Sequence, residues 1–122
     1  MKATISRSYT FEAAHHLPDL PDGHKCKRMH GHSYRVEFRL TGEIDDAGLV
    51  GGMEFGMIDV WFDPVHTMVD HHIWNDKIKV PTVENIAQWF LDVFDKSWGG
   101  KNLDTVVVRV YEGPRSWAEV WR

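Results

Sequence analysis

Apolar and polar residues alternate along four segments of the chain, and this alternation predicts four β-strands. The predicted strands cover Thr4 to Phe11, Ser33 to Thr41, Leu103 to Tyr111 and Ser116 to Trp121. Because side chains two residues apart point to the same side of a strand, each segment has one face that can join a core. Pro- and Gly-containing loops separate these segments, at Leu17 to Lys25 and at Gly42 to Gly52.

Two other segments repeat their apolar residues at intervals of three and four, which predicts amphipathic helices. The first covers Phe55 to Val69 and contains Pro64, which is expected to kink or interrupt it. The second covers Thr82 to Trp98, with Thr82 as the N-cap and Gly99-Gly100 at the end. The order β-β-α-α-β-β predicts an α+β domain spanning residues 1–122. The open edges of its four-stranded sheet are expected to pair with another subunit.

Composition narrows the class of protein. The 122 residues carry a net charge of −4 and the pI is near 6.0, so nucleic acid is not an expected partner. No apolar run approaches the roughly 20 residues that span a bilayer, and no signal peptide is recognisable at the N-terminus. A single cysteine suits a reducing compartment. These features predict a cytoplasmic protein without a membrane partner.

The pair His30-Gly31-His32 is the most informative feature of the sequence. On an extended backbone both imidazoles share one face, and His15 supplies a third candidate ligand. Three neutral imidazoles leave one position open on a tetrahedral Zn²⁺, as in catalytic zinc sites. The neighbouring His16 is expected to point elsewhere.

Other residues carry candidate chemistry. Cys26 lies among Lys25, Lys27 and Arg28, whose charges favour a reactive thiolate. The three basic side chains are equally consistent with an anion site or a solvated loop. Asp70-His71-His72 is consistent with a proton relay or with favourable charges at a helix end. From spacing alone, Glu112 is more consistent with a solvated turn residue than with a ligand-binding carboxylate.

Together these motifs resemble the 6-pyruvoyl-tetrahydropterin synthase family. The resemblance spans nearly the whole chain and rests on five segments: Phe11-Glu12-Ala13-Ala14-His15, Cys26-Lys27-Arg28-Met29-His30-Gly31-His32, Asp70-His71-His72, Pro81-Thr82-Val83-Glu84-Asn85 and Glu112. The spacing from Cys26 to His30 is similar to the bacterial 6-carboxytetrahydropterin synthase branch, which acts in queuosine (7-deazaguanine) biosynthesis.

The resemblance implies the tunnelling fold, a four-stranded antiparallel sheet with two helices on one face, assembled as a hexamer of two trimers. It implies Zn²⁺ on His15, His30 and His32, with Cys26 as the base and Asp70 and His71 as its relay. It also implies that Glu112 anchors the pterin, with Thr82 and Glu84 near it, at a site between subunits.

The implied reaction converts 7,8-dihydroneopterin triphosphate to 6-carboxytetrahydropterin, acetaldehyde and triphosphate. Two alternatives are a 6-pyruvoyl-tetrahydropterin synthase, which stops after triphosphate elimination, and a non-catalytic pterin- or purine-binding protein. The sequence departs from its bacterial relatives at Glu54, where they usually have Asp, and in a slightly longer loop at Gly48 to Gly52.

Overall fold

A computed structural model describes all residues, 1–122, and contains two α-helices and a five-stranded sheet. The strands are β1 (Lys2–His15), β2 (His30–Glu43), β3 (His72–Ile73), β4 (Thr105–Glu112) and β5 (Trp117–Trp121). The helices are α1 (Phe55–Val69) and α2 (Val83–Trp98). The strands lie in the order β3-β1-β2-β4-β5. The predicted α+β class is confirmed.

The sheet differs from the prediction in the length and number of its strands. β1 and β2 form one continuous antiparallel ladder that pairs Lys2 with Glu43 at one end and His15 with His30 at the other. Both strands are longer than predicted because strand pairing continues where the side-chain alternation fades. The four predicted strands are antiparallel, and β3 adds a fifth strand, parallel to β1. Two residues are too few to give a sequence pattern.

Helix α1 begins at the expected residue and runs through Pro64 without interruption. Pro64 lies on the exposed side of the helix, where water can satisfy the carbonyl group that loses its partner. The carboxylate of Glu54 caps the helix by accepting from the N–H groups of Gly56 at 2.8 Å and Met57 at 3.2 Å. The residue that departs from the bacterial pattern is therefore an N-cap.

The core lies between the sheet and the two helices and contains 22 buried residues. Phe38 of β2 is central to it, with ring centroids 5.8 Å from Phe62 of α1 and 5.8 Å from Phe94 of α2. Since one strand residue contacts both helices, the helices pack on the same face of the sheet, as predicted. The same face carries the predicted metal ligands beyond the aromatic core.

The two edges of the sheet, β3 and β5, have no further strand beside them. Trp117 and Trp121 of β5 are 48% and 67% exposed, whereas Trp74 is 2% exposed. Unpaired strand edges expose hydrogen-bonding groups to another chain. Neither helix combines the length and the apolar character that crossing a membrane requires.

Candidate metal centre and active site

Three imidazole side chains meet where β1 ends and β2 begins. His15 pairs directly with His30 across the ladder, and His32 lies two residues further along the same face of β2. One candidate ligand nitrogen from each ring lies within 4.8 Å of the others. The predicted group of His15, His30 and His32 is therefore brought together by the strand register.

Hydrogen bonds select which nitrogen of each ring faces the centre of the group. His15 donates from Nδ1 to the carbonyl oxygen of Pro81 at 2.8 Å, and His30 donates from Nδ1 to the carbonyl oxygen of Arg28 at 2.7 Å. A carbonyl oxygen can only accept, so Nδ1 carries the hydrogen and Nε2 keeps its lone pair. Such a bond on the outer nitrogen orients metal-binding histidines in proteins.

The inner nitrogens have no hydrogen-bond partner. The Nε2 atoms of His15, His30 and His32 are all buried and unpartnered, which is costly in a folded protein unless something binds there. Burial lowers the pKa of His15 and of His32, so both rings are held in the neutral form that binds metal. The donor set of three imidazole nitrogens fits a transition metal such as Zn²⁺.

Glu112 lies against this histidine group. One carboxylate oxygen is 3.1 Å from Nε2 of His32, outside hydrogen-bonding geometry, and the other is 3.9 Å from Nε2 of His15. The pairing of Tyr34 with Glu112 between β2 and β4 puts the glutamate on the same face as the histidines. The position of Glu112 is therefore inside the candidate site, whereas its spacing in the sequence favoured a solvated turn.

Cys26 lies in a short 3₁₀ turn, Lys25–Lys27, and is half-buried. A cleft of about 550 Å³ is lined by Cys26, His30 and His32, together with Lys25, Arg28 and Met29. The thiol and two of the candidate metal ligands therefore face the same space.

Asp70 and His71 form a pair after the C-terminus of α1. Nδ1 of His71 lies 2.9 Å from the Asp70 carboxylate, which also accepts the N–H of Glu12 at 2.9 Å. The Glu12 hydrogen bond and then His71 hold the pKa of Asp70 below its usual value. His71 has a left-handed backbone, with φ of 58°, and its N–H donates to the carbonyl oxygen of Glu12.

The Asp70–His71 pair does not meet Cys26 within one chain. The imidazole of His71 is 77% exposed and lines a separate cleft of about 430 Å³, which includes Glu12, Gly31 and His32. No hydrogen bond joins Cys26 to either residue. His32 lines both clefts, so the two groups lie in neighbouring clefts that share this histidine.

Thr82 and Glu84 lie at the N-terminus of α2. The Thr82 hydroxyl accepts the N–H of Asn85 at 3.3 Å and is the predicted N-cap. Glu84 is exposed in the first helical turn. This segment is connected to the histidine group through Pro81, whose carbonyl oxygen accepts a hydrogen bond from His15. Nothing in the geometry brings the Glu84 carboxylate to the histidines.

The basic side chains near Cys26 differ in whether a carboxylate neutralises them. Lys27 forms an ion pair with Asp22. Lys25 and Arg28 have no carboxylate partner, and both line the cleft that contains Cys26. The free positive charge in this cleft therefore comes from Lys25 and Arg28.

Sequence reasoning missed several residues that position the ligands. Asn75 binds both backbone groups of His16, accepting from its N–H at 3.0 Å and donating to its carbonyl oxygen at 2.9 Å. Pro81 and Glu12 act through backbone atoms, so their residue type carries little signal. The motif at Phe11 to His15 pointed to this region without showing how Glu12 acts.

Residues 4–122 match the family model of 6-pyruvoyl tetrahydropterin synthase. A relative from Archaeoglobus fulgidus, described as a putative 6-carboxy-5,6,7,8-tetrahydropterin synthase, is 36% identical over 119 residues, which cover 97% of this chain and 95% of the relative. The 6-carboxy-5,6,7,8-tetrahydropterin synthase of Synechocystis sp. is 39% identical over 112 residues, covering 85% and 83%.

Solved structures agree with the fold. The 6-pyruvoyl tetrahydropterin synthase of Caenorhabditis elegans superposes with a TM-score of 0.81 at 25% identity, covering 98% of this chain and 95% of that one. The Plasmodium falciparum enzyme gives a TM-score of 0.80 at 20% identity, with 99% and 98% covered, and this match bears on the fold alone. The resemblance inferred from the motifs is confirmed, and the chain belongs to the 6-pyruvoyl tetrahydropterin synthase family.

Proposed function

We propose that this protein is a zinc-dependent 6-carboxytetrahydropterin synthase, a carbon–carbon lyase of queuosine (7-deazaguanine) biosynthesis. It would convert 7,8-dihydroneopterin triphosphate and water to 6-carboxytetrahydropterin, acetaldehyde and triphosphate. The observation that supports this best is the convergence of three unpartnered Nε2 atoms beside a cleft that contains Cys26. The descriptions of the Archaeoglobus and Synechocystis relatives point to the same reaction.

In this proposal His15, His30 and His32 hold Zn²⁺, which supplies Lewis-acid polarisation of the substrate side chain. Cys26, as the thiolate, removes a proton from the carbon beside the reacting group. His71, oriented by Asp70, carries protons into and out of the site as the relay of Cys26. Glu112 accepts from the N–H and amino groups of the pterin and so positions the reacting carbon. Thr82 and Glu84 are assigned to the surroundings of the pterin.

The triphosphate requires positive charge near the thiol. We assign this to Lys25 and Arg28, because both line the Cys26 cleft without a carboxylate partner. Lys27 is less suited, since Asp22 already neutralises it. Guanidinium groups bind phosphate oxygens in pairs, which makes Arg28 the stronger contact.

We propose further that the single domain, residues 1–122, assembles as a hexamer of two trimers in the cytoplasm. The unpaired edges at β3 and β5 and the exposed Trp117 and Trp121 support association through the sheet. Association would also explain why His71 and Cys26 line different clefts of one chain. Nucleic acid and membranes are not proposed as partners.

One experiment separates this proposal from its alternatives. The zinc-loaded protein is incubated with 7,8-dihydroneopterin triphosphate and the products are identified by mass, with Cys26→Ala as the control. Acetaldehyde and 6-carboxytetrahydropterin in the parent sample alone are the expected result. A 6-pyruvoyl product would identify a 6-pyruvoyl-tetrahydropterin synthase, and unchanged bound substrate would identify a binding protein.

A parallel incubation with dihydroneopterin monophosphate tests another activity. The dihydroneopterin monophosphate aldolase of Pyrococcus furiosus is 33% identical to this chain over 100 residues. Faster cleavage of the monophosphate than of the triphosphate would contradict the proposed substrate.

A further inference from the structure

The turn that carries Cys26 is capped by a side chain that the proposed chemistry does not use. Nδ1 of His24 accepts the backbone N–H of Cys26 at 3.1 Å. The carbonyl oxygen of His24 accepts the N–H of Lys27 at 3.1 Å, so one residue supplies two acceptors to this short turn. Since a backbone N–H can only donate, Nδ1 is unprotonated and Nε2 carries the ring hydrogen.

The other backbone group of Cys26 is tied to the metal-binding strand. Its carbonyl oxygen accepts the N–H of Leu17 at 2.9 Å, two residues beyond His15. The peptide groups of Cys26 are therefore held at both ends, by His24 on one side and by the continuation of β1 on the other. The His24 bond is the only one of the two that a side-chain substitution can remove.

No other side chain that lines the cleft beside His24 can accept this bond. His24 is exposed, and the cleft of about 260 Å³ beside it is also lined by Gly23, Lys27 and Arg28. The side chains of Lys27 and Arg28 can only donate hydrogen bonds, and Gly23 has no side chain. Gly23 has a left-handed backbone, with φ of 86°, immediately before His24. The turn thus has little apolar packing and depends on hydrogen bonds for its shape.

We propose that His24 is a positioning residue for Cys26: its Nδ1 fixes the turn so that the thiol faces the space shared with His30 and His32. This inference rests on the proposed function, in which the thiol moves a proton. A loosened turn would let Cys26 sample positions away from the substrate. Small misplacements of a reacting group cost rate much more than they cost binding.

Three substitutions at position 24 separate the possibilities. His24→Ala removes the acceptor. His24→Asn keeps an acceptor, since Oδ1 of Asn stands the same number of bonds from Cβ as Nδ1 of His, and Asn is a favoured cap. His24→Gln places its acceptor one bond further out, where Nε2 lies, and is the matched control for a role of the outer nitrogen.

Two readouts are measured on zinc-loaded protein. For His24→Ala we expect kcat to fall about ten- to hundredfold with KM and zinc content little changed. We also expect iodoacetamide to modify the single cysteine about fivefold faster, because the turn opens more often. His24→Asn is expected to restore both values toward those of the parent, and His24→Gln is not.

Unchanged kcat and unchanged alkylation in His24→Ala would overturn the proposal, and so would failure of His24→Asn to restore either value. Restoration by Gln but not by Asn would also overturn it, by assigning the effect to the outer nitrogen. Alkylation tests the turn without substrate. If the alkylation rates follow the expected order while the parent shows no turnover, the positioning by His24 stands and the proposed reaction fails.

Discussion

At the scale of single residues, hydrogen bonds on the outer ring nitrogens prepare the histidines for a metal. The carbonyl oxygens of Pro81 and Arg28 fix the tautomers of His15 and His30, and burial keeps His15 and His32 neutral. Because these hydrogen bonds already orient the rings, little reorganisation is needed when a metal binds. Cys26 is not one of the converging ligands and lines the cleft beside them.

The first prediction follows from this separation of thiol and ligands. Cys26→Ala should keep one zinc per chain and the parent's thermal stability, and should lose turnover by about 10²–10⁴-fold, the range for removing a general base. The zinc content per chain is measured by atomic absorption, and kcat is measured on the same samples. If zinc falls in proportion to activity, the thiol is a metal ligand and its proposed role is wrong. His30→Ala is the matching control, which should lose both metal and activity.

A second prediction concerns Glu112, which is close enough to the histidines to suggest a role at the metal. We assign it to the pterin, whose adjacent N–H and NH₂ groups suit a carboxylate. In Glu112→Gln the amide NH₂ group, a donor, faces the donor groups of the pterin. The fall in kcat/KM should correspond to about 2–5 kcal/mol of lost transition-state stabilisation. Zinc content should stay at the parent value. Loss of zinc in this variant would make Glu112 a metal ligand.

The pKa of Asp70 leads to a third prediction, about stability and pH. The N–H of Glu12 and then His71 lower this pKa in the folded protein. A carboxylate of this kind contributes stability above its unfolded pKa of about 3.9 and loses it as the pH falls through the folded value. Metal-free Asp70→Asn should therefore be less stable than the parent at pH 7. Urea unfolding should show the difference shrinking toward pH 3, and a constant difference would contradict the assignment.

At the scale of elements, the helices were easier to predict than the strands. Helix α1 has the predicted bounds, and Thr82 caps α2 as its position suggests, because both signals are local. The last residues of β1 and the first residues of β2 lie outside the predicted strands, although they include His15 and His30. Ala13 and Ala14 give weak alternation, and the pairing that extends the strands lies between distant residues. The short β3 depends on the Asp70–His71 turn and had no pattern of its own.

The fourth prediction tests how the end of β1 is fixed. Asn75 binds both backbone groups of His16, next to His15. Asn75→Ala should cost about 1–3 kcal/mol of unfolding free energy by leaving those groups unpaired. It should also weaken zinc binding about tenfold or more, as for other residues that orient ligands. Asn102→Ala, at an exposed position, is the control. Equal zinc affinity in both variants would show that His15 is fixed by Pro81 alone.

At the scale of the whole molecule, the proposed catalytic groups are divided between two clefts. Cys26 lines one with His30, and His71 lines the other with Gly31, while His32 belongs to both. The motifs could identify these residues because each is a short, chemically distinctive segment. They could not show the division, because the position of a cleft depends on how β1, β2 and β3 meet. A neighbouring chain that added its sheet edge could bring the missing groups together.

The fifth prediction tests this arrangement directly. If each site combines Cys26 of one chain with Asp70 and His71 of another, then Cys26→Ala and His71→Ala chains can complement each other. Each variant alone should be inactive. The two variants are then mixed in equal amounts, dissociated and reassembled. A site is intact when its Cys26 comes from a His71→Ala chain and its His71 comes from a Cys26→Ala chain. Random mixing produces this combination in about one quarter of the sites. Activity should therefore recover to about a quarter of the parent value.

The same experiment distinguishes a shared site from one contained in a single chain. When all groups come from one chain, every site in the mixture carries one defect and activity stays at the level of the separate variants. Light scattering of the mixed sample provides the control, because complementation requires that the chains associate. A parent protein that is monomeric and fully active would contradict the shared site outright. Reassembled oligomers without recovered activity would instead place Cys26, Asp70 and His71 in one chain and require His71 to move toward the thiol when substrate binds.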